Sequence, residues 1–99
     1  MALIVRVKPR AERQIAAAAL WWSENRLAAP GAIRSDLEAA LEALVEQPAI
    51  GTRVETARDL ETRRLYLART GYFVYYRANG KYLEVVAFWH ASREHGPGL

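Results

Sequence analysis

The stretch Arg63–Arg93 reads RRLYLARTGYFVYYRANGKYLEVVAFWHASR. It holds three β-rich runs, Arg63–Ala68, Tyr72–Ala78 and Tyr82–His90, separated by Thr70-Gly71 and Asn79-Gly80. A Gly-containing pair between runs of β-branched and aromatic residues is the sequence signature of a tight hairpin, so these runs predict an antiparallel meander. The same stretch carries most of the excess positive charge. Residues 63–93 hold six basic side chains (Arg63, Arg64, Arg69, Arg77, Lys81, Arg93) against one acid, Glu84, whereas residues 1–50 hold six of each sign. A cationic, Tyr-rich sheet behind a neutral half is a surface suited to an anion or an acidic partner.

Outward from the meander, Ala2–Val7 is a short β-rich run ended by Lys8-Pro9. Pro9 suits the first turn of a helix and Glu12 suits its positive end. Ile15, Ala18, Ala19 and Trp22 recur at helical spacing, which predicts a helix over about 9–27. Leu27-Ala28-Ala29-Pro30-Gly31 interrupts it. Ile33, Leu37, Ala40, Leu41, Leu44 and Val45 then form one apolar stripe, predicting a second helix over about 32–47 stopped by Pro48. The short connection implies an antiparallel helical hairpin. Residues 49–62 read as a loop with a weak strand or turn, and 91–99, with Gly96-Pro97-Gly98, as a tail expected to fray. The expected fold is α+β in a single domain over 1–99. An N-terminal strand is followed by a helical hairpin packed on a twisted antiparallel sheet of strands near 63–68, 72–78 and 82–90.

Strict alternation sorts the sheet into two faces. Leu65, Leu67, Val74, Leu83, Val85 and Trp89 supply an apolar face for the helices. Arg64, Tyr66, Phe73, Tyr75, Arg77, Glu84, Val86, Phe88 and His90 then share the other, to be covered by a partner or by the C-terminal tail. A slip of one residue would invert this sorting. Trp21 and Trp22 point about 100° apart on a helix, so Trp22 fits the buried stripe; Trp21 is then half exposed or at a dimer or partner surface, although packing of both at the hairpin tip is the more expected outcome.

Several chemistries are excluded or disfavoured. The chain has 99 residues and no Cys, which removes disulfides and thiol catalysis and fits a reducing, cytoplasmic setting. No run approaches the roughly 20 apolar residues of a membrane helix. Two histidines, His90 and His95, without a ligand spacing argue against a metal site, and no phosphate-binding glycine fingerprint or other cofactor motif is present. Arg64, Arg77 and His90 on one face form a candidate set for metal-free RNA cleavage: His90 or Glu84 as base, His90 or a Tyr as acid, and the arginines for phosphorane charge. The plainer use of those arginines is cross-strand pairing with Glu84.

The order of elements resembles the ParE/RelE superfamily of small toxins from bacterial type II toxin–antitoxin pairs. The resemblance rests on Pro9-x-Ala11-Glu12, Pro48-Ala49-Ile50-Gly51, Arg63-Arg64-Leu65, Gly71-Tyr72-Phe73-Val74-Tyr75-Tyr76-Arg77, and the ending Val85-Val86-Ala87-Phe88-Trp89-His90-Ala91-Ser92-Arg93. It implies an antitoxin whose acidic, amphipathic C-terminal segment wraps the toxin in a hetero-oligomer. Such a segment would bind at Arg64, Tyr66, Phe73, Tyr75, Arg77, Phe88 and Arg93. RelE-like members cut mRNA on the ribosome; there Arg64, Arg77 and His90 would be catalytic. ParE-like members inhibit DNA gyrase and need no catalytic centre. Scarce lysine and the His-Ala-Ser-Arg ending resemble the ParE side more closely, so gyrase inhibition is the leading expectation, mRNA cleavage the alternative, and a non-toxic binding module the third.

Overall fold

A computed structural model describes residues 2–58 and 61–99. Its elements run β1 (Ile4–Val7), α1 (Pro9–Asn25), α2 (Ala32–Glu46), a 3-10 turn (Pro48–Ile50), β2 (Thr52–Val54), β3 (Thr62–Leu67), β4 (Tyr72–Ala78) and β5 (Tyr82–His90). The α+β expectation holds: two helices cover one face of a five-stranded sheet of order β1-β5-β4-β3-β2. The N-terminal strand joins this sheet parallel to β5, while the other neighbours are antiparallel, so the sheet is mixed. The helical hairpin carries the chain from β1 at one edge of the sheet to β2 at the other. Within the irregular 49–62 region, Thr52–Val54 forms the short edge strand β2.

The helices form where their apolar spacing says they should. Ala11, Ile15 and Ala18 on α1, and Ile33, Leu37, Ala40 and Leu44 on α2, are buried against Leu67, Val74, Tyr76, Leu83, Val85 and Phe88 of the sheet. Pro9 occupies the start of α1, where its missing N–H costs nothing. Gly71 closes the β3–β4 turn with a φ of 81°, a conformation that only glycine adopts freely. In the β4–β5 turn the Asn79 Oδ1 accepts from the Lys81 and Tyr82 amides, at 2.8 and 2.7 Å. The asparagine side chain therefore does the local capping.

One irregularity rearranges the sheet's faces. Tyr75 pairs with Ala87 and Tyr76 with Val85, so Val86 is an extra residue in β5. Such a β-bulge shifts the alternation by one. Before it, Leu83 and Val85 face the helices as expected. After it, the assignments exchange: Phe88 joins the helix-side core at 2% exposure, Tyr72 stacks on it with ring centroids 4.7 Å apart, and Trp89 packs with Val86, Ala87 and Tyr75 on the open face. The expected placements of Phe88 and His90 on the open face, and of Trp89 under the helices, are thereby corrected.

The C-terminal segment has no helix or strand after His90. It folds back over the open face: Trp89 Nε1 donates to the His95 carbonyl at 2.6 Å, an Arg10 Nη to the Gly98 carbonyl at 2.7 Å, and the Ala57 amide to the Leu99 carbonyl at 3.3 Å. Leu99 packs on the Tyr75/Val86/Ala87 cluster. This is the second of the two covers anticipated for that face, and it hides part of the apolar surface from water.

Candidate functional site

The open face divides into a covered half and a bare half. On the bare half the Arg64 guanidinium sits 4.0 Å from the Phe73 ring centroid and donates to the Tyr75 hydroxyl at 3.3 Å. Tyr66, 51% exposed, lies 5.2 Å from Phe73, and Phe73 lies 6.1 Å from Tyr75. This cross-strand aromatic ladder, capped by a guanidinium held over a ring, offers apolar contact and a fork of N–H donors together. Arg77 lies on the same face but turned inward, donating to Thr62 Oγ1 at 2.9 Å. The expected pairing of Arg64 and Arg77 with Glu84 is replaced: Glu84 takes Lys8, at 3.5 Å, although its backbone is directly opposite Arg77.

His90 stands on the other side of the sheet. Its ring meets the edge of Tyr72 at 4.8 Å, and its Nδ1 lies 2.7 Å from Ser92 Oγ and accepts from the Ser92 amide at 3.1 Å. An Nδ1 that accepts an amide N–H leaves the ring proton on Nε2, which faces the Gly71 backbone. Arg64, Arg77 and His90 are therefore not brought together, since the bulge between them carries His90 to the helix side. Arg93, the last expected contact, lies with its guanidinium 4.2 Å from the Trp89 ring centroid. Among the described residues, no group of three or more His, Asp or Glu is placed to hold a metal ion, and no helix is long and apolar enough to cross a membrane.

A cleft of about 900 Å³ opens between α1 and the C-terminal half of β5, where β1, which pairs only with Tyr82–Val85, has ended and leaves the edge of β5 away from β4 uncovered. Gln14 reaches across to accept from the Phe88 amide at 2.8 Å, so the helix satisfies the uncovered strand edge. Burial pushes the Tyr72 hydroxyl on the cleft wall above its ordinary value, with Arg93 pulling it back. This concavity escaped the sequence reading, in which packing of both tryptophans at the hairpin tip was the more expected outcome; Trp21 is 47% exposed. The available signal was a second stripe on α1, Arg10, Arg13, Ala17 and Trp21, which runs beside the apolar one at helical spacing.

A different tyrosine holds the sheet to the segment after α2. Tyr76, fully buried, donates to the Pro48 carbonyl at 2.6 Å and accepts from the Gly51 amide at 2.9 Å. Burial raises its pKa above the ordinary value near 10, more than the Gly51 contact and Arg63 lower it. The folded state then holds this proton more tightly than the unfolded chain. Stability is unaffected by the group below pH ~10 and falls as pH rises from there toward the folded pKa. Urea unfolding at pH 9 and 11 should show the loss, and Tyr76→Phe should reduce it.

A strand, a helical hairpin and a meander with a cationic, aromatic open face define a small α+β protein with a mixed five-stranded sheet. A family model, the ParE toxin of the type II toxin–antitoxin system parDE, matches residues 5–95. The chain belongs to the ParE toxin family. Among solved structures, a chain from the chromosomal ParDE TA system of P. aeruginosa superposes with a TM-score of 0.72 at 15% identity, over 92% of this chain and 98% of that one. At that identity the likeness is one of fold. A comparison with curated proteins finds no match.

Proposed function

We propose that this chain is a cytoplasmic toxin that inhibits DNA gyrase by binding, without a catalytic step. We further propose that a cognate antitoxin neutralises it by laying an acidic, amphipathic C-terminal segment on the open sheet face. Membership of the ParE family carries the reading. The separation of His90 from Arg64 and Arg77 by the bulge supports binding over RNA cleavage, because a proton-transfer group across the sheet cannot serve a phosphate held at the arginines. Arg64, Tyr66 and Phe73 form the accessible core of the antitoxin surface, with Tyr75 and Arg77 beneath its edge and Arg93 at its far end. Phe88 drops out of that set because it is buried on the helix side.

Induction of the chain in bacteria should arrest growth, and the purified chain should block gyrase supercoiling or trap cleaved DNA. His90→Ala should retain both effects within about twofold, since its ring packs against Tyr72, Ser92 and the Gly71 turn on the helix side, away from Arg64 and Arg77. Ribosome-dependent mRNA cutting with no effect on gyrase, abolished by His90→Ala, would overturn the reading in favour of a RelE-like nuclease.

A further inference from the structure

The outer face of α1 is apolar where a helix surface is ordinarily polar. Arg13, Ala16, Ala17, Leu20, Trp21 and Glu24 recur at helical spacing, about half a turn round the helix from the buried row Ala11, Ile15 and Ala18. All of them are exposed, Leu20 at 61% and Trp21 at 47%. Trp21 is nonetheless held: its ring meets Trp22 edge-on with centroids 6.2 Å apart, and the Arg26 guanidinium lies 5.2 Å from its centroid. A positioned, half-exposed tryptophan beside an arginine has the composition of an interface hot spot. The stripe ends in opposite charges. Glu24 stands in the last turn, at the negative end of the helix dipole, where a carboxylate is unfavourable and no basic residue of that turn offsets it. Among the described residues neither Arg13 nor Glu24 forms an ion pair; the pairs of the chain are Lys8–Glu84, Arg53–Glu61, Arg63–Glu61 and Arg69–Asp36.

We infer that α1 packs against α1 of a second copy of this chain, antiparallel about a two-fold axis, in a concentration-dependent homodimer. The stripe is its own complement when turned end for end. Arg13 and Glu24 lie symmetrically about a point between Ala18 and Ala19, and so do the Ala16–Ala17 and Leu20–Trp21 pairs. A two-fold axis at that point sets each Arg13 level with a Glu24, and the two large residues of one copy against the two small ones of the other. Charge meets opposite charge and bulk meets space, which is what an isologous interface requires. The alanines let the helix axes approach to about 8 Å, the close end of helix packing. Each Glu24 then gains an arginine from the N-terminal half of the neighbouring helix. A single helix pair buries less than the roughly 800 Å² per partner of a standard interface, so association is expected at about 10–100 μM chain. The stripe lies on the helix side of the sheet, away from the open face proposed for the antitoxin.

Sedimentation equilibrium of the full chain from about 1 to 300 μM tests this, with a monomer–dimer equilibrium expected. Arg13→Glu and Glu24→Arg each place two like-charge contacts in the interface and should each raise the dissociation constant by about tenfold or more. Mixed one to one, these two variants should form a heterodimer, because each supplies the charges that the other lacks. The double variant Arg13→Glu/Glu24→Arg should dimerise as the unaltered chain does. Leu20→Glu should stay monomeric, and Arg64→Glu, on the open face, should leave the equilibrium unchanged. All the altered stripe side chains are exposed, and circular dichroism confirms that each variant keeps the fold. The inference is overturned by a monomer across the whole range, by association that survives Leu20→Glu, or by a mixture that associates no better than either charge variant alone. Neither gyrase nor antitoxin enters the measurement, so failure here leaves the proposed function standing, and failure of that reading leaves the dimer intact.

Discussion

Gly51→Ala is expected to destabilise the chain by about 3–4 kcal/mol, the sum of an overpacked core and lost buried hydrogen bonds. For a domain of this size that lowers Tm by about 12–32 °C. A Cβ at Gly51 would come within 2.8 Å of Tyr76 Cε1 and 2.9 Å of the Arg64 carbonyl, and against the Tyr76 hydroxyl itself. The carbonyl belongs to β3 and cannot yield without breaking its ladder. The ring is fully buried and held at its tip by Pro48 and Gly51. Arg63 adds a second clamp, donating to the carbonyls of Gly51 at 2.8 Å and Ala49 at 3.2 Å. Thermal unfolding of Gly51→Ala beside Gly80→Ala, where a Cβ meets nothing within 4 Å, separates the clash from a general effect of losing glycine. The double variant Gly51→Ala/Tyr76→Phe should recover only part of the loss, because the hydroxyl clash goes but the Arg64 carbonyl contact stays. Equal melting of the two glycine variants would contradict the packing described for this corner.

The second large effect is expected at Arg64. Reversing its charge with Arg64→Glu should reduce affinity for the cognate antitoxin by about a hundredfold, since it replaces an attractive group with a repulsive one at the centre of an acidic interface. The guanidinium is held over Phe73 and tied to Tyr75, so little conformational freedom is lost when it meets a carboxylate. Gyrase inhibition by the same variant should persist, and co-expressed antitoxin should then fail to restore growth. Isothermal titration with the antitoxin's C-terminal peptide measures the first effect, and a co-expression growth curve the second. Unchanged antitoxin affinity would remove the open face from the proposed interface.

Much of this architecture is legible in the residues. The helices follow from their apolar stripes, and the hairpins from Thr70-Gly71 and Asn79-Gly80. The open-face arginine–aromatic ladder follows from parity in β3 and β4, where no bulge intervenes. What misled the reading was β5. Its second half, Val86-Ala87-Phe88-Trp89-His90, is apolar on both parities, so neither register offends the hydrophobic pattern and the bulge leaves no local mark. The cationic cleft was hidden for a related reason: Arg10 and Arg13 are ordinary exposed residues of one helix until β5, ending beyond the reach of β1, brings Tyr72, Phe88 and Arg93 against them.

The amino-acid sequence alone therefore determined the element order, the helical faces, the excess cations of the meander and the family they resemble, because each depends on periodicity or composition within a short window. Tertiary structure decided which side of the sheet His90 and Phe88 occupy, where the tail lies, and that the cations gather on two surfaces instead of one. Those outcomes depend on a single unpaired residue, Val86, and on which strand stops short beside β5. Both are properties of strand pairing between distant segments, and no local pattern records them.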